Sequence, residues 1–370
     1  MSERRFKVAA AHAAPVFLDT ARTVDKACAL IEEAARNGAR LIAFPESFVP
    51  GFPLWNAVQA PIYSHDFFVR LAQGAVRVPG PEIGRIVQVA RRHRIFVSLG
   101  FTEGTAASVG CLWNSNVLIG EDGALLNHHR KLVPTFYEKL TWAGGDGAGL
   151  RVVETAIGRV GALICGENTN PLARYALIAG GEELHVSTYP PTWPTRDPRE
   201  AGRYDLADAI RIRAAAHSFE AKCFNVVAAG FLDAATRAAL APVGGDGLRI
   251  IEETPRGVSL VLDPMGRIIA GPVADEEGLL YAEVDLDACI EPKQFHDVSG
   301  GYNRFDVFQL RVDRRRHRPA TFDDGDPSAA ADALGGEAGG KGSSSDPAPD
   351  RPADRAADRA AGPDQGTGGD

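Results

Sequence analysis

The chain of 370 residues is short of cysteine and lacks every cysteine-based framework. Its five cysteines are an odd number, lie far apart and form no Cys-x-x-Cys pair. That pattern argues against both a disulfide scaffold and a zinc site. The histidines show neither HExxH nor HxH spacing, and the neighbours His128 and His129 point to opposite faces of a strand. The sequence therefore predicts that the protein needs no metal and no other cofactor.

Long apolar runs are also missing. No stretch approaches the roughly 18 apolar residues of a membrane span, and the first residues lead into a strand without the apolar segment of a secretion signal. The formal net charge is −8, but most of it lies from residue 321 onward, so the remainder is nearly neutral. We therefore expect a cytoplasmic protein without a membrane or nucleic-acid partner.

The composition changes abruptly near residue 321, where Ala, Gly, Asp, Pro and Ser become dominant. From Thr321 onward the chain holds eleven acidic and four basic residues, and Leu334 is the only large aliphatic residue. Such a segment cannot bury enough apolar surface to offset the entropy lost on ordering. The sequence predicts a folded domain over residues 1–320 and a disordered acidic tail over residues 321–370.

Within the folded domain, short apolar strands alternate with amphipathic helices. A strand is predicted over residues 6–12, then a helix capped by Asp19 or Thr20, then a strand over residues 41–44. A glycine-rich phosphate loop and the GxSxG motif of serine hydrolases are both missing from the sequence. The pattern predicts a layered α/β fold that carries some other chemistry.

Three chemically active side chains each follow a predicted strand closely. They are Glu46, Lys131 and Cys165. Taken singly, they fit a solvated loop carboxylate, a basic strand end and a buried structural thiol. Together they supply a base, a fixed positive charge and a nucleophile, which could meet along one edge of a sheet. Backbone N–H groups at the strand-to-helix junction are expected to lower the pKa of the Cys165 thiol.

With these segments identified, the chain resembles the nitrilase superfamily and, within it, the nitrilase branch. The matching motifs are FPESFVPGFP from Phe44, HHRKLVPTFYEKLTWAGGDG from His128 and CGENTNPLARYALIAGG from Cys165, and the resemblance covers about residues 5–318. It implies a four-layer α-β-β-α sandwich and a nitrilase-like catalytic domain. It also implies a catalytic triad of Glu46, Lys131 and Cys165, with Glu138 as a supporting second glutamate, and assembly into homo-oligomers, either dimers or larger spirals.

The resemblance implies hydrolysis of a small-molecule nitrile by water to a carboxylic acid and ammonia, through a covalent cysteine thioimidate and thioester. An amidase or N-carbamoyl hydrolase of the same superfamily is one alternative, and a non-catalytic scaffold or binding relative is another. Amide-cleaving relatives tend to carry Tyr-Asp after the cysteine, whereas this chain has Gly166-Glu167-Asn168. The complete triad argues against a non-catalytic role.

Two departures from the resemblance concern the substrate. Gly301 stands where many relatives carry histidine, and Gly166 stands where many carry Trp or Ala. Gly166 is predicted to leave space beside the nucleophile for bulky nitriles such as arylacetonitriles. The alternative is a backbone need, either a positive φ or a close approach at the junction with neighbouring side chains filling the gap. The aromatic candidates to line a substrate pocket are Trp55, Tyr189 and Trp193.

Overall fold

The computed structural model describes residues 4–317, which form two six-stranded sheets flanked by helices. The first sheet has the strand order β12-β1-β2-β3-β4-β5. Its strands are β1 (Arg5–His12), β2 (Ala39–Ala43), β3 (Phe96–Glu103), β4 (Trp113–Ile119), β5 (Leu125–Arg130) and β12 (Gly278–Asp285). The first three strands in sequence run parallel, and the others pair antiparallel.

The second sheet repeats this design with the order β11-β10-β9-β8-β7-β6. Its strands are β6 (Val153–Thr155), β7 (Gly158–Ile164), β8 (Leu184–Tyr189), β9 (Phe224–Ala229), β10 (Ser259–Leu262) and β11 (Ile268–Val273). Here β7, β8 and β9 are parallel. Parallel strands place their carboxyl ends, and the loops that follow them, at a common edge where ligands usually bind.

Helices cover the outer face of each sheet. The α-helices of residues 4–317 are α1 (Thr20–Arg36), α2 (His65–Gln73), α3 (Pro81–His93), α4 (Pro171–Ile178), α5 (Leu206–Ala221), α6 (Ala234–Ala239), α7 (Gly245–Glu253) and α8 (Ile290–His296). The α1 and α3 helices pack on the first sheet, and α4 and α5 pack on the second. The α-β-β-α sandwich predicted for this chain is therefore confirmed.

Strand β1 shows how the sequence builds these layers. Val8 and Ala10 point into the core between the two sheets, whereas Ala9 and Ala11 point into the core beneath α1 and α3. All four side chains are fully buried. A strand covered on both faces needs apolar residues at every position rather than at alternate ones, and this is why β1 reads as a continuous apolar run.

The first helix follows its sequence signals. The Asp19 side chain accepts a hydrogen bond from the Arg22 backbone N at 3.0 Å and so caps the amino end of α1. Helix α5 begins at Leu206 in the same way, because the Asp205 side chain caps it by accepting from the Asp208 backbone N.

No helix within residues 4–317 is both long and apolar enough to cross a membrane. The predicted acidic tail over residues 321–370 lies outside the described residues. The domain boundary and the disorder of the tail therefore remain predictions.

The Asp19 cap gives a direct test of how α1 is held. Replacing Asp19 by Ala should lower the free energy of unfolding by about 1 kcal/mol, because one helix-terminal N–H loses its acceptor. Urea unfolding followed by circular dichroism measures this change. Asp19→Asn is the control, since it keeps an acceptor oxygen and should retain most of the stability. An equal loss in both variants would contradict the capping role.

Candidate active site

Loops at the ends of three strands bring the predicted triad together. Glu46 follows β2, Lys131 follows β5, and Cys165 follows β7. The Glu46 loop lies directly against β3 at Gly100, where an added Cβ would come within 2.1 Å of the Pro45 carbonyl oxygen. Glycine at this position therefore allows the base to approach the sheet closely.

The centre of the site is a lysine between two carboxylates. Lys131 Nζ donates to Glu46 Oε1 at 2.7 Å and to Glu138 Oε2 at 2.6 Å, and all three side chains are completely buried. Asn114 Nδ2 donates to the same Glu46 oxygen at 2.6 Å, and the Thr135 backbone N donates to Glu138 at 2.9 Å. These bonds fix the positions of both carboxylates.

The thiol lies against this group. Cys165 Sγ and one carboxylate oxygen each from Glu46 and Glu138 lie within 4.8 Å of one another. Cys165 adopts the left-handed backbone region, with φ at +49°, and so do Ser47 and Phe136, in the two segments that carry the glutamates. Residues other than glycine rarely adopt this conformation, and such strain is concentrated at functional sites.

The protonation state of the thiol differs from the prediction. Burial raises the pKa of Cys165 well above its usual value, and the Glu46 carboxylate acts in the same direction while Lys131 opposes both. The predicted lowering by backbone N–H groups is therefore wrong, because desolvation and a nearby negative charge outweigh it. The thiol carries its proton and needs a base beside it.

Glu46 has the properties of that base. Burial raises the pKa of Glu46 to about 7, while the Lys131 ammonium opposes the rise. Burial also acts to lower the pKa of Lys131, but Glu138 and Glu46 hold it well above its usual value. The lysine therefore remains charged, and the glutamate is poised to exchange a proton near neutral pH.

Several buried polar atoms around the thiol have no protein partner among the described residues. They are Glu46 Oε2, Glu138 Oε1, Tyr137 OH and Tyr189 OH. Buried polar groups are nearly always hydrogen-bonded in native proteins, so each exception calls for a reason. A bound substrate and its attacking water would supply the missing partners.

Glu167 is a further site residue that the sequence reasoning passed over. Its carboxylate accepts from the Leu132 backbone N at 2.6 Å, from the Ile164 backbone N at 2.8 Å and from His129 Nε2 at 2.9 Å. It thereby links the residue after Lys131 to the residue before Cys165. The available signal was a carboxylate two positions after the nucleophile, at the end of an apolar strand.

The nucleophile lies in a short turn over Cys165–Thr169, called here the nucleophile turn, and Asn168 supports this turn from the other side. Its Nδ2 donates to the Cys165 carbonyl at 3.1 Å, and its Oδ1 accepts from Ser187 Oγ at 3.0 Å. His185 Nε2 lies 3.1 Å from the same Oδ1, and His185 Nδ1 lies 2.9 Å from the buried carboxylate of Glu182. A chain of buried polar side chains therefore holds the turn in place.

The three aromatic candidates all lie in the apolar cluster that contains Cys165. Trp55 is fully buried and stacks on Phe67, with ring centroids 4.9 Å apart. Tyr189 is fully buried, and Trp193 stacks on Tyr137 at 5.5 Å. All three rings pack within this cluster, and contact of Trp55, Tyr189 or Trp193 with a substrate remains a prediction.

Gly166 makes the close approach that was predicted as the alternative to open space. An added Cβ would come within 2.6 Å of Thr135 Oγ1, so the Thr135 side chain fills the gap beside Gly166. The positive φ belongs to Cys165 and not to Gly166. The glycine allows close packing between the nucleophile turn and the segment that carries Glu138.

Within residues 4–317, two groups of side chains have the spacing of metal ligands. They are Glu46 with Glu138 and Cys165, and Glu182 with His217 and Cys223. In the first group, Lys131 already lies between the two carboxylates and supplies the positive charge. In the second, His217 Nε2 and Glu182 are joined directly by a hydrogen bond. The expectation that no metal is needed remains a prediction.

Comparison with known sequences gives matches along most of the chain. Residues 7–294 match the Carbon-nitrogen hydrolase family. A nitrilase from Paraburkholderia phymatum is 36% identical over 322 residues, covering 86% of this chain and 90% of the relative. An arylacetonitrilase from Hypocrea virens is 35% identical, and the match covers 84% of this chain and 93% of the relative. A cyanide hydratase from Gibberella zeae is 34% identical, and the match covers 89% of this chain and 92% of the relative.

Solved structures give the same fold at lower sequence identity. The C. elegans NitFhit protein superposes with a TM-score of 0.62 at 19% identity, covering 86% of this chain and 70% of that chain. Saccharomyces cerevisiae Nit3, a member of branch 10 of the nitrilase superfamily, superposes with a TM-score of 0.60 at 18% identity. The match covers 79% of this chain and 93% of that chain. The two-sheet architecture is therefore that of the nitrilase superfamily.

The contact between Gly166 and Thr135 can be tested with a double-mutant cycle. Gly166→Ala should lower both activity and stability, the latter by about 1–3 kcal/mol, because the new methyl group presses on Thr135 Oγ1. Adding Thr135→Ala should recover part of both losses, which gives a favourable coupling energy. Gly84→Ala in α3 is the matched control, since a Cβ there meets no atom within 4 Å. Additive losses would contradict the contact.

Proposed function

The chain belongs to the carbon-nitrogen hydrolase family as an enzyme of its nitrilase branch, and we propose that it converts a nitrile and two waters into a carboxylic acid and ammonia through intermediates covalently bound to Cys165. The observation that carries the proposal is the group of Glu46, Lys131 and the Cys165 thiol. A protonated thiol within 4.8 Å of a carboxylate with a pKa of about 7 is suited to proton transfer between them.

The first step is addition of the thiol to the nitrile carbon. Glu46 takes the proton from Cys165 Sγ as the sulfur attacks, and the carbon–nitrogen triple bond becomes a double bond. The proton then passes to the nitrogen, which gives a thioimidate bonded to the sulfur. Lys131 stabilises the negative charge that develops on nitrogen, as a donor in an oxyanion hole does for oxygen.

Hydrolysis of the thioimidate requires two waters in succession. The first adds to the carbon after losing a proton to Glu46, and protonation of the nitrogen allows ammonia to leave with the electrons of the carbon–nitrogen bond. The remaining thioester is attacked by a second water, again with Glu46 as base. The carbon–sulfur bond breaks, the acid leaves, and the thiol regains its proton.

Glu138 has a supporting role in this scheme. Its Oε2 accepts hydrogen bonds from Lys131 Nζ and from the Thr135 backbone N, whereas Oε1 has no partner in the part of the chain that the structure describes. That oxygen is available to hold an attacking water. The second carboxylate also keeps Lys131 charged while Glu46 changes its protonation state.

The tetrahedral intermediate formed by the first water has two exits. Loss of ammonia leads to the acid, whereas cleavage of the carbon–sulfur bond at that stage releases an amide. The relatives include proteins named nitrilase and proteins named cyanide hydratase. We propose the acid as the main product because Glu46, having taken a proton from the first water, can deliver it to the nitrogen that leaves as ammonia. Homo-oligomer formation and a cytoplasmic location remain predictions.

The nucleophile assignment predicts that Cys165→Ala abolishes ammonia release from nitriles. The fold should be kept, because Ala adopts the left-handed backbone of residue 165 no less readily than Cys does. Ammonia assays on a panel of aliphatic and aromatic nitriles measure the loss. Cys28→Ala, at a half-buried cysteine on the remote α1, is the control and should remain active. Substantial turnover by Cys165→Ala would refute the assignment.

The pKa of Glu46 predicts a pH profile. Only the ionised carboxylate can accept the thiol proton, so kcat/KM for a neutral nitrile should rise about tenfold per pH unit below about 7 and level off above it. The charge of Lys131 is constant across this range, because its pKa is raised well above the usual value. Initial rates from about pH 5 to 8 provide the measurement. A flat profile would argue against Glu46 as the base.

A further inference from the structure

A cavity of about 420 Å³ opens beside the nucleophile turn, where Gly166 forms part of its wall. Thr135 and Phe136, from the segment that carries Glu138, form another part. Two cationic side chains, Lys139 and Arg213, also border it. This charge pattern is unexpected for a pocket that receives only an uncharged nitrile.

Arg213 lies half-buried on α5, and its only hydrogen bond in the described chain joins Nη2 to the hydroxyl of Tyr204. The Tyr204 ring lies 5.8 Å from the guanidinium carbon. No carboxylate within residues 4–317 forms an ion pair with this arginine. Its neighbour on the same helix, Arg211, is exposed and pairs with Asp208 at 3.5 Å.

A half-buried guanidinium without a counter-ion is costly, since charges removed from water need an opposite charge nearby. The one carboxylate that borders the cavity does not meet this need. Glu167 is already bonded to His129 and to the backbone N atoms of Leu132 and Ile164. Arg213 therefore brings to the cavity a positive charge that no carboxylate of residues 4–317 pairs with.

Arg213 also interacts electrostatically with the catalytic centre. Burial acts to lower the pKa of Arg213, but the neighbouring Cys165, Tyr189 and Tyr204 outweigh burial and raise it. The guanidinium is thus permanently charged and close enough to Cys165 for the two groups to influence each other. Arg213 and Gly166, the residue after the nucleophile, line the same cavity, so a molecule bound there lies beside both the guanidinium and the nucleophile turn.

We propose that Arg213 determines specificity by binding a carboxylate on the substrate, so that the preferred substrates are cyano acids with the nitrile at one end and a carboxylate at the other. This inference rests on the nitrilase function proposed above and adds the substrate class. A planar guanidinium held on one edge by Tyr204 retains N–H groups that fit the two oxygens of a carboxylate.

The aromatic residues around Arg213 indicate what joins the two ends of such a substrate. Tyr204 contacts Trp193 edge to face with ring centroids 5.3 Å apart, and Trp193 contacts Phe136 at 6.3 Å. The three rings therefore form a continuous series of contacts from Phe136, which lines the cavity, to Tyr204, which bonds to Arg213. An aromatic body between the nitrile and the carboxylate suits this apolar surrounding.

The test compares two nitriles that differ only in charge. They are (4-carboxyphenyl)acetonitrile and its neutral isostere (4-carbamoylphenyl)acetonitrile. The wild-type enzyme should prefer the carboxylate, and Arg213→Gln should lower the ratio of the two kcat/KM values by about 10- to 100-fold. The loss should appear mainly in KM for the carboxylate. Arg213→Lys should retain part of the preference, and it serves as the second variant if Arg213→Gln folds poorly.

Arg211→Gln is the matched control on the same helix and should leave the ratio unchanged. An equal fall of kcat/KM on both substrates in Arg213→Gln would overturn the inference, because it would mean that the arginine acts on the nucleophile instead. Turnover of both nitriles by the wild type without a preference would also overturn it, while leaving the nitrilase proposal intact. Turnover of neither compound, nor of any simpler nitrile, would overturn both proposals.

Discussion

The buried lysine between two carboxylates is the interaction on which the rest of the site depends. Lys131 is held at 2.7 Å from Glu46 and 2.6 Å from Glu138, with none of the three side chains exposed. Removing one partner would leave an uncompensated charge in the interior, which is far more costly than losing a surface ion pair. The loops after β2 and β5 are therefore held together by charge as well as by packing, and the thiol after β7 is held against them.

The same group of charges determines which proton moves. Two carboxylates and one ammonium leave an excess negative charge, and burial makes that charge unfavourable. The result is a Glu46 carboxyl with its pKa raised to about 7 and a thiol that keeps its proton. The sulfur is therefore activated when a neighbouring base removes its proton during the reaction. It is not present beforehand as a thiolate stabilised at a helix terminus.

Hydrogen bonds between side chains and the backbone fix the relative positions of the segments that carry these charged groups. Glu167 joins the two segments that carry Lys131 and Cys165, and Asn168 holds the Cys165 carbonyl. Both residues lie within three positions of the nucleophile in sequence, and their hydrogen bonds position it. The left-handed conformation of Cys165 persists because these bonds and the sheet beneath it determine the turn from several sides.

Sequence alone was sufficient for the layered fold, since apolar strands such as residues 6–12 and a capped amphipathic helix can be recognised from local pattern. It was also sufficient to select Glu46, Lys131 and Cys165, because each follows a strand and the motifs around them resemble one superfamily. The thiol pKa, the contact of Gly166 with Thr135, the bridging by Glu167 and the unbalanced charge of Arg213 were decided only by the tertiary structure. Each of these depends on desolvation or on contact between segments distant in sequence, and neither burial nor long-range contact is encoded in the local pattern of residues.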